Sequence, residues 1–346
     1  MNSTHPNGRD TSIIDISVIV PVHKGGENFC ICLSKLSLFL QENTEIIVVI
    51  DGHDSDSWQL AQSFPFKVIK ITDNGGPARA RNLGASLAKG EILFFIDADV
   101  TINPDTLNLV AQTFANQPDL VALIGSYDDT PGATNFLSQY KNLFHHYTHQ
   151  SACEEASTFW GACGAIRREI FLAVGGFNQT YRYPSVEDIE LGYRLKQQGY
   201  RIHLCKTLQV KHLKHWNVVS LLKAEIFYRA LPWTELLWQY RQFINDLNLK
   251  QESRISVVLI YGILIFLLLA WWWWGGLMIA GVFSLVLLLL NLSLYRFFHQ
   301  HRGLWFAICT IPWHWFYFFY SGLAFATGTI IYHLKSNLRT KKAAFP

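Results

Sequence analysis

A chain of 346 residues, 16% of them charged and with a formal net charge of +3, has room for one catalytic domain and a membrane region. No basic block interrupts its first two thirds, which excludes nucleic acid as a partner. Its six cysteines show no paired CxxC pattern and no secretory signal precedes the first apolar run, so a cysteine metal site is excluded and a reducing, cytoplasmic setting is expected.

Residues 1–15 are a polar tail, after which strands and helices alternate. Ile16 to Val20 predicts a strand ending at Pro21-Val22-His23, and helical spacing follows from Phe29 to Leu40. Ile46 to Ile50 predicts a second strand, ending at Asp51-Gly52, before a helix over Trp58 to Phe64. Lys67 to Ile71 predicts a third, ending at Thr72-Asp73-Asn74-Gly75-Gly76, before a helix over Ala78 to Ala88. Ile92 to Ile96 is too short for a helix and predicts a buried strand that delivers Asp97 and Asp99 into the next loop. Leu107 to Phe114 has helical spacing, and Leu120 to Ile124 predicts one more strand. Such alternation predicts an α/β fold: a mostly parallel sheet with helices on both faces.

Ligands of open α/β sheets bind at the carboxyl ends of the strands. Asp97 and Asp99 there suit a hard divalent cation, Mg²⁺ or Mn²⁺, sharing its remaining positions with substrate phosphates. A helix N-cap or a turn uses the same residue type. Gly75-Gly76-Pro77 permits a tight turn into a helix whose N-terminus, with Arg79 and Arg81, attracts anions; an ordinary loop with solvated arginines has the same pattern. Phe159-Trp160 suits stacking on a sugar, but packing is the default among so many aromatics. Glu187-Asp188 either starts a helix or supplies a carboxylate base.

The last third changes character. Val218 to Ile244 mixes apolar and basic residues and predicts amphipathic interfacial helices over 216–250, split by Pro232, with Trp233 and Trp238 at headgroup level. Apolar runs at Ile255 to Trp274, Leu277 to Leu294 and Leu304 to Tyr332 predict two to three transmembrane helices within 251–334. Trp271 to Trp274 suit an interfacial belt, Gly275-Gly276 a tight hairpin turn, and Pro312 a kink. His314 is either functional or packed. Arg241, Lys250 and Arg254 precede the first run, and Arg296 and Arg302 lie between the second and third. Lys335, Arg339, Lys341 and Lys342 follow, in a basic tail at 335–346, so the third run has basic residues on both sides: it re-enters, lies in the interface, or has one loop that breaks the positive-inside rule.

Taken in order, several segments resemble the family-two glycosyltransferases with the GT-A fold, over about two thirds of the chain. They are Pro21-Val22-His23, Asp51-Gly52, Gly76 to Gly84, Asp97-Ala98-Asp99, Gly161 to Arg168, Val174 to Phe177, Glu187 to Leu195 and Gly199-Tyr200. The resemblance implies a GT-A-like domain at 16–215. It implies that Pro21 walls a nucleotide pocket, that Asp51 reads base or ribose, and that Arg81 and Asn82 shape the nucleotide side, structurally as much as chemically. Asp99 would ligate the metal directly, with Asp97 toward ribose or metal. Asp188 would be the catalytic base of an inverting enzyme, with Glu187 beside it. His212 would approach metal and diphosphate, with His215 as the competing histidine on the same segment.

The expected activity is inverting transfer of a sugar from a nucleotide-diphosphate donor to a hydroxyl acceptor, lipid-linked, at the cytoplasmic face of a membrane. Two alternatives stand: a polyprenyl-phosphate glycosyltransferase, whose acceptor is already an anion, and a non-catalytic membrane scaffold with a retained fold. Gln239-Tyr240-Arg241-Gln242-Phe243 departs from the Gln-x-x-Arg-Trp element of processive synthases, so processivity is not expected.

Overall fold

The computed structural model describes residues 16–241 and 250–344, so the expected polar tail at 1–15 lies outside the described residues. The elements run β1 (Ile16–Val22), α1 (Gly26–Leu38), β2 (Thr44–Asp51), α2 (Ser55–Gln62), β3 (Lys67–Ile71), α3 (Pro77–Leu87), β4 (Ile92–Ile96), β5 (Val100–Thr101), α4 (Thr106–Asn116) and β6 (Ala122–Tyr127). There follow α5 (Phe136–Gln150), β7 (Cys163–Arg167), α6 (Arg168–Ala173), α7 (Glu187–Gln197) and β8 (Ile202–His212). Helices α8 (Val218–Lys223), α9 (Leu231–Tyr240), α10 (Gln251–Leu269), α11 (Gly275–Leu290) and α12 (Leu292–Ala344) complete the chain.

Eight strands form one sheet in the order β3-β2-β1-β4-β7-β6-β8-β5. From β3 to β4 it is parallel, with Val18 of β1 opposite Ile46 on one side and Phe94 on the other. Beyond β4 it is mixed: β7 lies antiparallel to both β4 and β6, while β6 and β8 run parallel. Strand residues alternate between two layers. Val18, Val20, Val48 and Phe94 pack with Phe29, Leu33 and Leu107, whereas Ile19, Val49 and Phe95 pack with Ala78, Phe171 and Leu191. Phe159 belongs to this second layer, edge-on to Phe95, so packing explains it.

The segment after β8 corrects one expectation. Pro232 does not split it. Residues 224–230 form a π-helical turn whose flanks keep helical angles, so the stretch from Val218 to Tyr240 is unbroken. The wider π register absorbs the hydrogen bond that proline cannot donate. Both tryptophans have protein partners: Trp233 Nε1 donates to Tyr193 Oη at 2.9 Å, and Trp238 Nε1 to Thr329 Oγ1 at 3.0 Å.

The helix lengths give one span, or two, the lower of the expected numbers, if Gly275–Leu290 and Leu292–Asn337 together make one bent span. Among the described residues one helix, Gln251–Leu269, is long and apolar enough to cross a membrane. At 16 residues α11 reaches only about 24 Å, short of the roughly 30 Å hydrocarbon core. It pairs with Leu292–Asn337 across a bend of 59°. The long last helix breaks at Gly303 (φ 84°, ψ 170°), where glycine alone adopts the angles cheaply, and runs on through Pro312. Trp271 to Trp274 form an exposed tip between α10 and α11. His314 is packed: buried, and 3.1 Å from Tyr140 Oη through Nδ1. Lys335 reaches Glu235 at 3.4 Å; the side chains of Arg339, Lys341 and Lys342 lie outside the described residues.

Candidate active site

The carboxyl ends of β1, β2 and β4 share one edge of the sheet, and α3 starts beside them. Gly76 (φ 84°) makes that start possible, since a side chain there would meet the Arg182 carbonyl oxygen at 2.3 Å. Asp51, at the end of β2, fixes the turn: its two carboxylate oxygens accept from the amides of Gly75 at 2.9 Å and Gly76 at 2.8 Å. Those hydrogen bonds make it a loop anchor before it is anything else. Pro21 is buried within β1, two residues beyond the last pairing with β4.

One turn into α3, Arg81 is buried and holds two acids from distant parts of the chain. Its Nη2 donates to Asp97 Oδ1 at 2.6 Å and its Nη1 to Glu187 Oε1 at 2.8 Å. The guanidinium also lies over the Phe177 ring, 5.4 Å from its centre. Gly161 lets it pass, because a Cβ there would come within 3.1 Å of Arg81 Cζ. Arg81 therefore ties the end of β4 to the start of α7. That is a linking role, deeper than shaping a nucleotide pocket.

Asn82 shows the structural half of its expected role. Its Nδ2 donates to Phe177 O at 2.7 Å and its Oδ1 accepts from Phe177 N at 2.8 Å, so the amide is fully engaged in holding the 174–177 turn. Replacing it with alanine (Asn82→Ala) leaves the Phe177 amide without its partner; the expected cost is about 1–3 kcal/mol, read by urea unfolding in detergent.

At the start of α7, Glu187 has no oxygen to spare: Oε1 accepts from Arg81, and Oε2 from the Ser185 amide at 2.8 Å. Both oxygens being engaged, Glu187 is fixed in place beside Asp188. Asp188 is half-buried; Oδ2 accepts from the Gly161 amide at 3.0 Å and Oδ1 from the Ile189 amide at 2.8 Å. Burial, then the adjacent Glu187 charge, push the Asp188 carboxyl up to about 6, against the pull of the Gly161 amide and Arg81.

β5 pairs with β8 at Val100 and His212, which sets Asp99 beside that histidine. His212 Nε2 is 3.7 Å from Asp99 Oδ2, and Lys214 Nζ is 4.0 Å from the same oxygen. The His212 ring stacks on Tyr127 at 4.3 Å and 8°. Burial raises the Asp99 carboxyl, but His212 and Lys214 outweigh it and hold it at about 2. His215 is exposed, so of the two histidines the structure brings His212 to the site.

Three or more His, Cys, Asp or Glu gathered for a metal are absent among the described residues. Asp97 is diverted to Arg81. The 3.7 Å between Asp99 Oδ2 and His212 Nε2 is too long for a hydrogen bond. A carboxylate and an imidazole are donor types that would hold a divalent cation between them, with the nucleotide's phosphates supplying further oxygens. The residues present fit a cation that arrives with its nucleotide.

Sequence reasoning gave no site role to Gly161, Ser185 or Tyr127. The first two act through backbone amides, which carry no side-chain signal.

Residues 17–175 match the family model described as Glycosyl transferase family 2, and residues 142–216 match the N-terminal domain of galactosyltransferase. The chain is 28% identical to Glycosyltransferase GlyG of Streptococcus pneumoniae, over 40% of this chain and 46% of the relative. It is 24% identical to the Glucosyl-dolichyl phosphate glucuronosyltransferase of Haloferax volcanii, over 49% of this chain and 59% of that one. The chain thus spans about half the length of these curated relatives. In fold it is similar to the mannosyltransferase PcManGT of Pyrobaculum calidifontis, solved with GDP-Man and Mn²⁺. The TM-score is 0.52 at 14% identity, covering 93% of this chain and 88% of that one.

Proposed function

Residues 17–175 of this chain belong to the family 2 glycosyltransferases, and on that premise we propose that the protein transfers a sugar, with inversion, from a nucleotide-diphosphate donor to the hydroxyl of a lipid-linked acceptor. The single observation carrying this reading is the Asp97–Arg81–Glu187 chain of ion pairs. It ties the strand end that leads into Asp99 to the helix start that bears Asp188.

Asp188 takes the proton from the acceptor hydroxyl as it attacks the anomeric carbon. Its raised pKa and its two backbone donors suit a base that must stay oriented while it changes charge. Glu187 raises that pKa and is itself fixed by Arg81 and the Ser185 amide. Asp51 and Asn82 stiffen the turns on either side. Asp99 and His212 would hold the divalent cation, Mg²⁺ or Mn²⁺, which when bound supplies Lewis-acid stabilisation to the leaving diphosphate. Lys214 adds positive charge at the same place.

A lipid-linked acceptor is supported by the apolar helix Gln251–Leu269 and by a relative whose name includes dolichyl phosphate. Anchoring through that helix would hold the cleft at the cytoplasmic face of the bilayer. The polyprenyl-phosphate alternative needs no base, which the raised Asp188 carboxyl disfavours.

A donor-hydrolysis screen across nucleotide sugars, with Mn²⁺ or Mg²⁺, on the full chain in detergent tests the reading. Turnover of one donor, abolished by chelation and restored by either ion, is expected. Asp99→Ala should weaken cation-dependent nucleotide-sugar binding by about tenfold or more, measured by calorimetry. Binding indifferent to both cation and substitution would sink the assignment.

A further inference from the structure

Beyond the cleft, two cations share one carboxylate oxygen. Lys141 of α5 and Arg229 of the π-helical turn approach Glu225 Oε1 at 2.7 Å and 3.3 Å. Glu225 is buried and Lys141 nearly so, while the Arg229 side chain is 38% exposed, which leaves one positive charge over with its guanidinium open to an incoming ligand. Among the described residues, Glu225 is the one hydrogen-bond acceptor of the Arg229 guanidinium, so most of its fork of N–H donors stays open. Burial pulls the Lys141 ammonium below the usual lysine range although Glu225 opposes it, and Arg229 adds to that pull. An anion beside the pair would relieve both.

The position is specific. Ser185 Oγ donates to Tyr228 O at 2.7 Å, and the rings of Tyr183 and Tyr228 stack at 5.6 Å. The turn carrying Arg229 is thereby fastened to the loop directly before Asp188. Arg229 lies within electrostatic reach of Asp188 and of Tyr127, whose ring stacks on His212. Tyr317 of α12 is within the same reach, and α12 packs on the π-helical turn. The open cation thus sits between the candidate base and the apolar helices, on an irregular turn of the kind that recurs at functional sites.

Resting on the transferase reading above, we infer that Lys141 and Arg229 form an anion subsite for the phosphate of the lipid-linked acceptor, whose apolar tail follows the C-terminal helices. Arg229 offers the planar fork that matches phosphate, and Lys141 a point charge. The attacking hydroxyl lies elsewhere on the same headgroup, within reach of Asp188.

Calorimetry on the full chain in detergent, against three probes, tests the subsite. The probes are micelles doped with a polyprenyl phosphate, micelles doped with the matching polyprenol, and inorganic phosphate in the water. The polyprenyl phosphate should bind at least about tenfold more tightly than either other probe. Lys141→Gln and Arg229→Gln should each weaken that binding by about tenfold. Glu225→Gln, which removes the balancing carboxylate, should tighten it, a direction that a purely structural ion triplet would not give. Equal affinity for phosphate and alcohol, or weakening by Glu225→Gln, overturns the subsite; inorganic phosphate binding as tightly as the lipid overturns the lipid assignment. Wild-type donor turnover is scored separately: its absence sinks the transferase reading, whatever the micelles report.

Discussion

Asp188→Asn should lower the rate constant for sugar transfer by about 10²–10⁴-fold, the contribution typical of a positioned general base. Nucleotide-sugar affinity should change little, because the group meets the acceptor rather than the donor. Asparagine keeps the size and one acceptor oxygen, enough for only one of the Gly161 and Ile189 amides. What it loses is the ability to take a proton. The wild-type pH profile carries the same signature. A base works deprotonated, and the Asp188 carboxyl is pushed up to about 6. The rate should therefore be flat above that pH and fall about tenfold per unit below it, with the acid limb missing from the residual activity of Asp188→Asn. Steady-state kinetics between pH 5 and 8 will show this. Near-normal transfer by the variant would mean that the acceptor is itself an anion, and the polyprenyl-phosphate alternative would replace the hydroxyl one.

Arg81→Met should have the largest effect on the fold. Methionine fills much of the same volume but leaves Asp97 and Glu187 without their shared cation. Breaking a buried ion pair from one side costs about 3–5 kcal/mol, because the remaining charge is stranded. Two acids are stranded here, of which Glu187 is buried and Asp97 half-buried. Urea unfolding in detergent should show a loss in that range, together with loss of turnover as Asp188 drifts from its place. Arg81→Lys should recover only part of it: a single ammonium cannot reproduce two separate donors at 2.6 Å and 2.8 Å on acids from opposite sides. Full stability in Arg81→Met would show that the two acids re-pair elsewhere, and the cleft would lose its organising residue.

The first half of the fold was legible because its strands are continuous apolar runs bounded by turn residues. Lys67–Ile71 and Ile92–Ile96 appear in the structure with the predicted bounds. β7, Cys-Gly-Ala-Ile-Arg, was not, since its small residues carry little strand preference. β8 alternates from Leu208 to His212, yet its residues read as basic and site-bearing, and that masked a period of two. The partners of Trp233 and Trp238 were not legible for a related reason. An aromatic rich in surface area looks the same in sequence whether its indole N–H meets a headgroup or, as here, Tyr193 and Thr329.

By itself the sequence determined the order of strands and helices, the edge on which Asp51, Asp97 and Asp99 emerge, and the apolar character of the last third. Hydrophobic period and chain order are local properties, and they survive without a third dimension. Which acids stay free was decided only by tertiary structure. Arg81 claims Asp97 and Glu187, backbone amides claim Asp51, and Phe177 claims Asn82. Asp99 is left with His212, and Asp188 with a raised pKa. A hydrogen-bond partner 95 or 106 residues away leaves no trace in local pattern, because such pairing depends on how the sheet brings separate loops together.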